Sequence, residues 1–190
     1  MEIAAMRNNG FHDGGYQSRR ELRRAYEEWL AQMDVDLFVT LSLAKNIGVD
    51  RARRKLRLWL AFVDSHYLGA RWTRRPSSER TKAFIFAESV DTNLHYHALM
   101  KLPYRGQLES LEVRAATLER FWRKIEWRGT CHVDWVRDAG AAEYVTKQLV
   151  RPGYLEQIIL ANDFHPDRDR SSDEERGDQE GFSEPIIDLS

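Results

Sequence analysis

Residues 83–88 (Ala-Phe-Ile-Phe-Ala-Glu) and 94–102 (Leu-His-Tyr-His-Ala-Leu-Met-Lys-Leu) are two apolar, β-prone runs separated by a polar turn around Asp91, Thr92 and Asn93. Runs of that kind with so short a gap form an antiparallel hairpin. A hairpin alone is marginal in water, so it demands further strands or a helix against one face. Leu37-Phe38-Val39-Thr40-Leu41-Ser42-Leu43 meets that demand: it is apolar enough on both faces to be a central strand, and Cys131 to Val136 reads as a fourth.

Helical periodicity fills the intervals. Ser18 can cap a helix running to about Met33, with Leu22, Tyr26, Trp29, Leu30 and Met33 on one stripe. After Asp50, the residues Ala52, Leu56, Trp59, Val63 and Tyr67 recur at helical spacing. Leu108, Leu111, Ala115, Leu118, Trp122 and Ile125 alternate three and four apart and predict a helix over 108–126, ended by Gly129; a last helix over Ala139 to Val150 stops at Pro152-Gly153. The order strand, helix, strand, strand, helix, strand, helix predicts an α+β fold, with a central antiparallel sheet of about four to five strands flanked by helices.

With 190 residues and 42% hydrophobic content, the chain can bury one core. One folded domain is expected over 18–160, between a flexible segment 1–17, rich in Asn and Gly, and an acidic, disordered tail over 161–190. The formal net charge of −1 conceals a division: residues 161–190 hold ten Asp/Glu and three Arg, hence −7, while the preceding part holds 26 Lys/Arg and 20 Asp/Glu, hence +6. A basic body suits a polyanion, and Arg19, Arg20, Arg23, Arg24, the Arg51 to Arg57 cluster and Arg71 to Arg75 concentrate that charge. The lone Cys131 excludes an internal disulfide and a cysteine zinc cage. No apolar run approaches the roughly eighteen residues of a membrane span and the N-terminus lacks a signal-peptide core, so a cytoplasmic protein without a membrane partner is expected.

The chemistry centres on His95 and His97. Alternate residues of a strand share a face roughly 6.6 to 7 Å apart, so the two imidazoles can grip one divalent cation while Tyr96 points away. Glu88, across the hairpin turn, can add a carboxylate oxygen, leaving coordination positions for phosphate and water as Mg²⁺ or Mn²⁺ catalysis requires. On the last helix Tyr144, Lys147 and Gln148 lie on one side, next to the apolar stripe of Ala141, Ala142, Val145 and Leu149. A phenol is a poor nucleophile at neutral pH unless a nearby cation favours its phenolate, and Lys147 provides one. His132 and Asp134 share a strand face and are expected to be structural; Trp72, Trp127 and Trp135 can stack on unpaired bases.

Phe38-Val39-Thr40-Leu41-Ser42, then Glu88 seven residues ahead of His95-Tyr96-His97, then Tyr144-Val145-Thr146-Lys147, resemble the three motifs of the HUH (His-hydrophobic-His) endonucleases, specifically the single-tyrosine rolling-circle replication initiators of plasmids and small phages. The resemblance covers about residues 37–150. It implies a ferredoxin- or RRM-like HUH fold and a metal-dependent nick in single-stranded DNA at an origin hairpin. Tyr144 would remain joined to the 5′ phosphate, and the free 3′ hydroxyl would prime synthesis. On this reading His95, His97 and Glu88 hold Mg²⁺ or Mn²⁺, Lys147 positions or activates Tyr144, and Thr40, Ser42, Arg74 and Arg75 contact DNA. The partners would be a host helicase and polymerase, since the chain has no phosphate-binding Gly-x-x-x-x-Gly-Lys loop of its own. Gln148, four residues after Tyr144, also fits the Tyr-x-x-x-Gln pattern of the single-strand HUH transposases, in which the glutamine is the third metal ligand. A non-catalytic single-strand nucleic-acid binder is the alternative from another class.

Overall fold

A computed structural model describes residues 16–44, 47–89, 93–103, 109–136, 140–146 and 158–165. Within them a five-stranded, wholly antiparallel sheet runs in the order β4-β1-β3-β2-β5, built from β1 (Leu37–Ser42), β2 (Lys82–Glu88), β3 (His95–Lys101), β4 (Cys131–Trp135) and β5 (Ile159–Leu160). The helices are α1 (Tyr16–Ala31), α2 (Val49–Leu68), α3 (Leu111–Ile125), α4 (Gly140–Thr146) and α5 (Ala161–Phe164). The fold is α+β, as expected.

β1 and β2 run parallel to each other with β3 between them, and β3 and β4 run parallel with β1 between them. Each helical crossover, α2 and α3, therefore skips a strand that fills the gap, the split βαβ connection of ferredoxin-like sheets. The two crossover helices pack on one another and on the same side of the sheet. Strand alternation sends Leu37, Val39 and Leu41, Ile85, and Tyr96, Ala98 and Met100 to that side, where they meet Trp59, Val63, Leu118 and Trp122. The indole nitrogens stay paired inside this core: Trp59 Nε1 donates to the Leu118 carbonyl at 3.1 Å and Trp122 Nε1 to the Ser42 carbonyl at 3.0 Å.

Among the described residues the opposite face is only partly covered. α1 and α4 pack against each other and bury a smaller cluster of Leu30, Phe86, Leu99, Ala142, Val145 and Ile158. The uncovered part of that face, toward the Glu88–His95 end of the sheet, is where the site lies.

Several expectations are corrected. The first helix begins at Tyr16, so Ser18 sits inside it rather than capping it, and the segment expected to be flexible over 1–17 yields its last two residues to α1. The acidic segment from 161 does not begin as tail: Leu160 pairs with Phe84, α5 follows directly, and Phe164 packs against the main core. Apolar Ile158, Ile159 and Phe164 anchor a stretch whose average composition is polar. Among the described residues no helix is long and apolar enough to cross a membrane.

Candidate metal centre

Residues 84, 86 and 88 of β2, 95, 97 and 99 of β3, and 38, 40 and 42 of β1 alternate onto the open face. The antiparallel register aligns them in rows. Glu88 lies opposite His95 and Ser42; Phe86 lies opposite His97, then Thr40, then His132. Two histidines and a carboxylate are thereby brought to one corner by backbone pairing alone.

The side chains converge. Glu88 Oε2 lies 2.8 Å from His97 Nε2 and 3.3 Å from His95 Nε2, and one potential ligand atom from each residue falls within 4.8 Å of the others. A six-coordinate ion with bonds of about 2.1 Å holds adjacent ligands about 3 Å apart, so the spacing suits a divalent cation. Both rings are also aimed from behind. His95 Nδ1 lies 2.9 Å from the Asn93 carbonyl, which can only accept, so Nδ1 carries the proton and Nε2 faces the carboxylate. His97 Nδ1 lies 3.1 Å from Thr40 Oγ1, a hydroxyl that can accept the matching bond. Such outer partners fix ring orientation and tautomer in metal sites.

His97 is further held by rings. Phe38 stacks on it (centroids 5.6 Å apart, planes 13°), while His95 and Tyr144 meet it edge-on, each with centroids 5.0 Å away. The side chain of His97 is 7% exposed, that of His95 22%; among the described residues the site is closed behind His97 and more open at His95.

Tyr144 stands over this corner on α4. Ala142 and Val145 seat the helix in the smaller cluster, leaving the Tyr144 ring 43% exposed and edge-on to both Phe38 and His97. α4 is braced from α1: the Thr146 hydroxyl lies 2.9 Å from Glu27 Oε1, which also accepts from Arg23 Nε at 2.6 Å. Lys147 and Gln148 lie outside the described residues.

The remaining sequence-derived candidates hold different positions. Thr40 faces His97, with its Oγ1 at 3.1 Å from Nδ1, which gives it a place in positioning the ring. Ser42 bonds Thr130, its Oγ 2.7 Å from Thr130 Oγ1 and accepting from the Thr130 amide at 2.9 Å. Arg74 and Arg75 precede Lys82, which begins β2 about 20 Å from Glu88 by strand rise, and Arg75 pairs with Glu79. His132 and Asp134, which share a strand face as expected, are exposed and pair with each other at 3.0 Å. Trp72 is buried, Trp135 lies under the Arg114 guanidinium, and Trp127 is exposed. The Asn93 carbonyl and the Thr146–Glu27 brace carry no signal in sequence, because one is backbone and the other a contact between distant helices.

The chain matches no protein-family model, no curated protein and no solved structure. The donor set is then the guide to the chemistry. Two imidazole nitrogens and one carboxylate with open positions suit Mn²⁺, Mg²⁺ or ferrous iron, and their arrangement without a fourth protein ligand among the described residues leaves room for an exchangeable ligand.

Proposed function

We propose that the protein is a divalent-metal-dependent endonuclease and strand transferase acting on single-stranded DNA, with Tyr144 as nucleophile, in the manner of the HUH replication initiators it resembles. One observation carries this reading: a phenol on a braced helix lies against His97, and the imidazole of His97 converges with His95 on the Glu88 carboxylate. The basic body of residues 1–160 favours a phosphodiester substrate.

A bound Mg²⁺ or Mn²⁺ would polarise a phosphate oxygen and offset negative charge in the transition state. The residues of the chain do the rest. His95, His97 and Glu88 would hold that ion, and Thr40 and the Asn93 carbonyl keep both Nε2 atoms turned toward the Glu88 carboxylate. The Tyr144 oxygen attacks phosphorus and gives up its proton; the phosphorus–oxygen bond to the 3′ side breaks, and that oxygen takes up a proton to leave as a 3′ hydroxyl. The product is a 5′-phosphotyrosine, which retains the phosphodiester's energy and allows rejoining without ATP. In the resemblance Lys147 assists loss of the phenol proton. Glu88 at the corner favours the initiator branch over the transposases, in which Gln148 would complete the site. Priming rolling-circle synthesis with a host helicase and polymerase is the biological role this chemistry serves.

The test is a labelled stem-loop oligonucleotide incubated with protein and Mn²⁺ and resolved on a denaturing gel. The wild type yields a protein-linked band; Tyr144→Phe binds the hairpin but gives no adduct, and His95→Ala/His97→Ala gives no cleavage. Normal nicking by Tyr144→Phe would refute the assigned nucleophile.

A further inference from the structure

The turn between α3 and β4 lies at the same end of the sheet as the metal corner. Ser42 closes β1 there: its amide donates to the Thr130 carbonyl at 2.9 Å and its residue pairs across the sheet with His95. Thr130 is therefore two interstrand spacings from His95, about 10 Å. Just ahead of it Trp127 is 72% exposed, by far the most exposed large apolar side chain among the described residues, with the Arg128 guanidinium 4.2 Å over its ring. An indole that remains so exposed with a cation on one face presents its other face to solvent.

The turn that carries it is firmly built. The Gly129 amide donates to the Glu126 carbonyl at 2.9 Å, and Glu126 pairs with Lys55 of α2 at 3.2 Å. A Cβ at Gly129 would fall 2.4 Å from the Ser42 carbonyl oxygen and 2.7 Å from Trp122 Nε1, so only glycine lets the turn approach the strand this closely. Between the turn and the metal corner lie the paired hydroxyls of Ser42 and Thr130. Only one of their two protons is used in the mutual bond, so the other can be donated to a phosphate oxygen. A rigidly mounted aromatic face backed by a guanidinium, beside hydroxyl donors, matches the chemistry that holds an unpaired base and its backbone.

From this geometry we infer that Trp127 and Arg128 form a base-stacking site for single-stranded nucleic acid, holding a nucleotide that flanks the phosphate at the Glu88–His95–His97 corner. The inference rests on the endonuclease reading for its ligand class but assigns residues which that reading does not use. Trp127 stacks on the base; Arg128 lies on the far side of the indole and strengthens the platform through its charge.

Fluorescence anisotropy with a labelled oligothymidylate, in EDTA and across a salt series, tests it. Trp127→Ala should weaken binding by roughly 5- to 100-fold, the loss typical of one stacked base, and leave the dependence of affinity on salt unchanged, because no phosphate contact is removed. Trp127→Phe should recover most of the loss, and Mn²⁺ affinity should be the same in all three proteins. If wild type and Trp127→Ala bind equally, or if the salt dependence falls along with affinity, the stacking site is refuted while the endonuclease reading stands. If the wild type itself binds no oligothymidylate, the stacking site is refuted, and the stem-loop adduct assay decides the endonuclease reading separately. Trp127 is exposed, so matching thermal melts verify that the variants fold.

Discussion

At the scale of single residues, the candidate centre depends on what stands behind the histidines as much as on the histidines themselves. Thr40 Oγ1 sits 3.1 Å from His97 Nδ1, and a valine of similar shape would keep the packing but withdraw the acceptor. Loss of such an outer partner lowers metal affinity by about 10- to 100-fold. Thr40→Val should therefore bind Mn²⁺ at least about tenfold more weakly by isothermal titration calorimetry, with an unchanged melting temperature in EDTA; equal affinity would remove Thr40 from the positioning role. The histidines and Glu88 were readable in sequence because strand alternation and one short hairpin turn are local rules. Thr40 was visible as a strand residue but not as the partner of His97, because that pairing joins residues 57 apart in the chain and depends on which strand lies beside which.

At the scale of elements, the periodic helices were legible and the short elements were not. α3 carries its predicted stripe from Leu111 to Ile125, with Leu118 and Trp122 buried, but starts later than 108, where Ser110 accepts from the Val113 amide; Leu108 lies outside the described residues. β5 has two residues and α5 four, too few for any period, and both are placed by pairing with β2 and packing against the core. The junction of α2 with β2 is held by a charged group in an unusual place. Asp64 is buried on α2, where its Oδ1 accepts from the Thr81 amide at 2.8 Å and from the Thr81 hydroxyl at 2.6 Å. Burial pushes its carboxyl pKa up, and the Thr81 hydrogen bonds oppose that only in part. A carboxyl raised in the folded state favours folding when protonated: that contribution is complete below the ordinary value of 3.8 and is lost as pH rises through the folded-state value. Asparagine can accept the same two bonds without the charge. The stability of wild type relative to Asp64→Asn, measured by urea unfolding, should thus improve as pH falls from neutral toward 3.8 and be poorest at neutral pH. A difference that stays constant over that range would contradict the assigned burial cost.

At the scale of the whole molecule, the sheet has two faces with different tasks. One is sealed by α2 and α3 over the larger core; the other is partly covered by α1 and α4, and its open corner gathers Glu88, His95, His97 and Tyr144. The same hydrogen-bonded scaffold that orders the core thus fixes the spacing of Glu88, His95 and His97, and α4 brings the Tyr144 phenol to them because its apolar side belongs to the smaller cluster. The antiparallel sheet was legible from the order of elements. Which helices cover which face was not, since crossover packing is decided by the whole topology. The position of the basic clusters relative to the corner was not legible for a related reason: Arg74 and Arg75 precede β2 in sequence, at the end of that strand opposite Glu88. The central claim, a divalent cation held beside Tyr144, is tested most directly by the anomalous signal of a Mn²⁺-soaked crystal. A single strong peak about 2.2 Å from His95 Nε2, His97 Nε2 and a Glu88 oxygen, with the Tyr144 hydroxyl turned toward it, is the predicted result. No peak at that corner, or one bound by other residues, would contradict it.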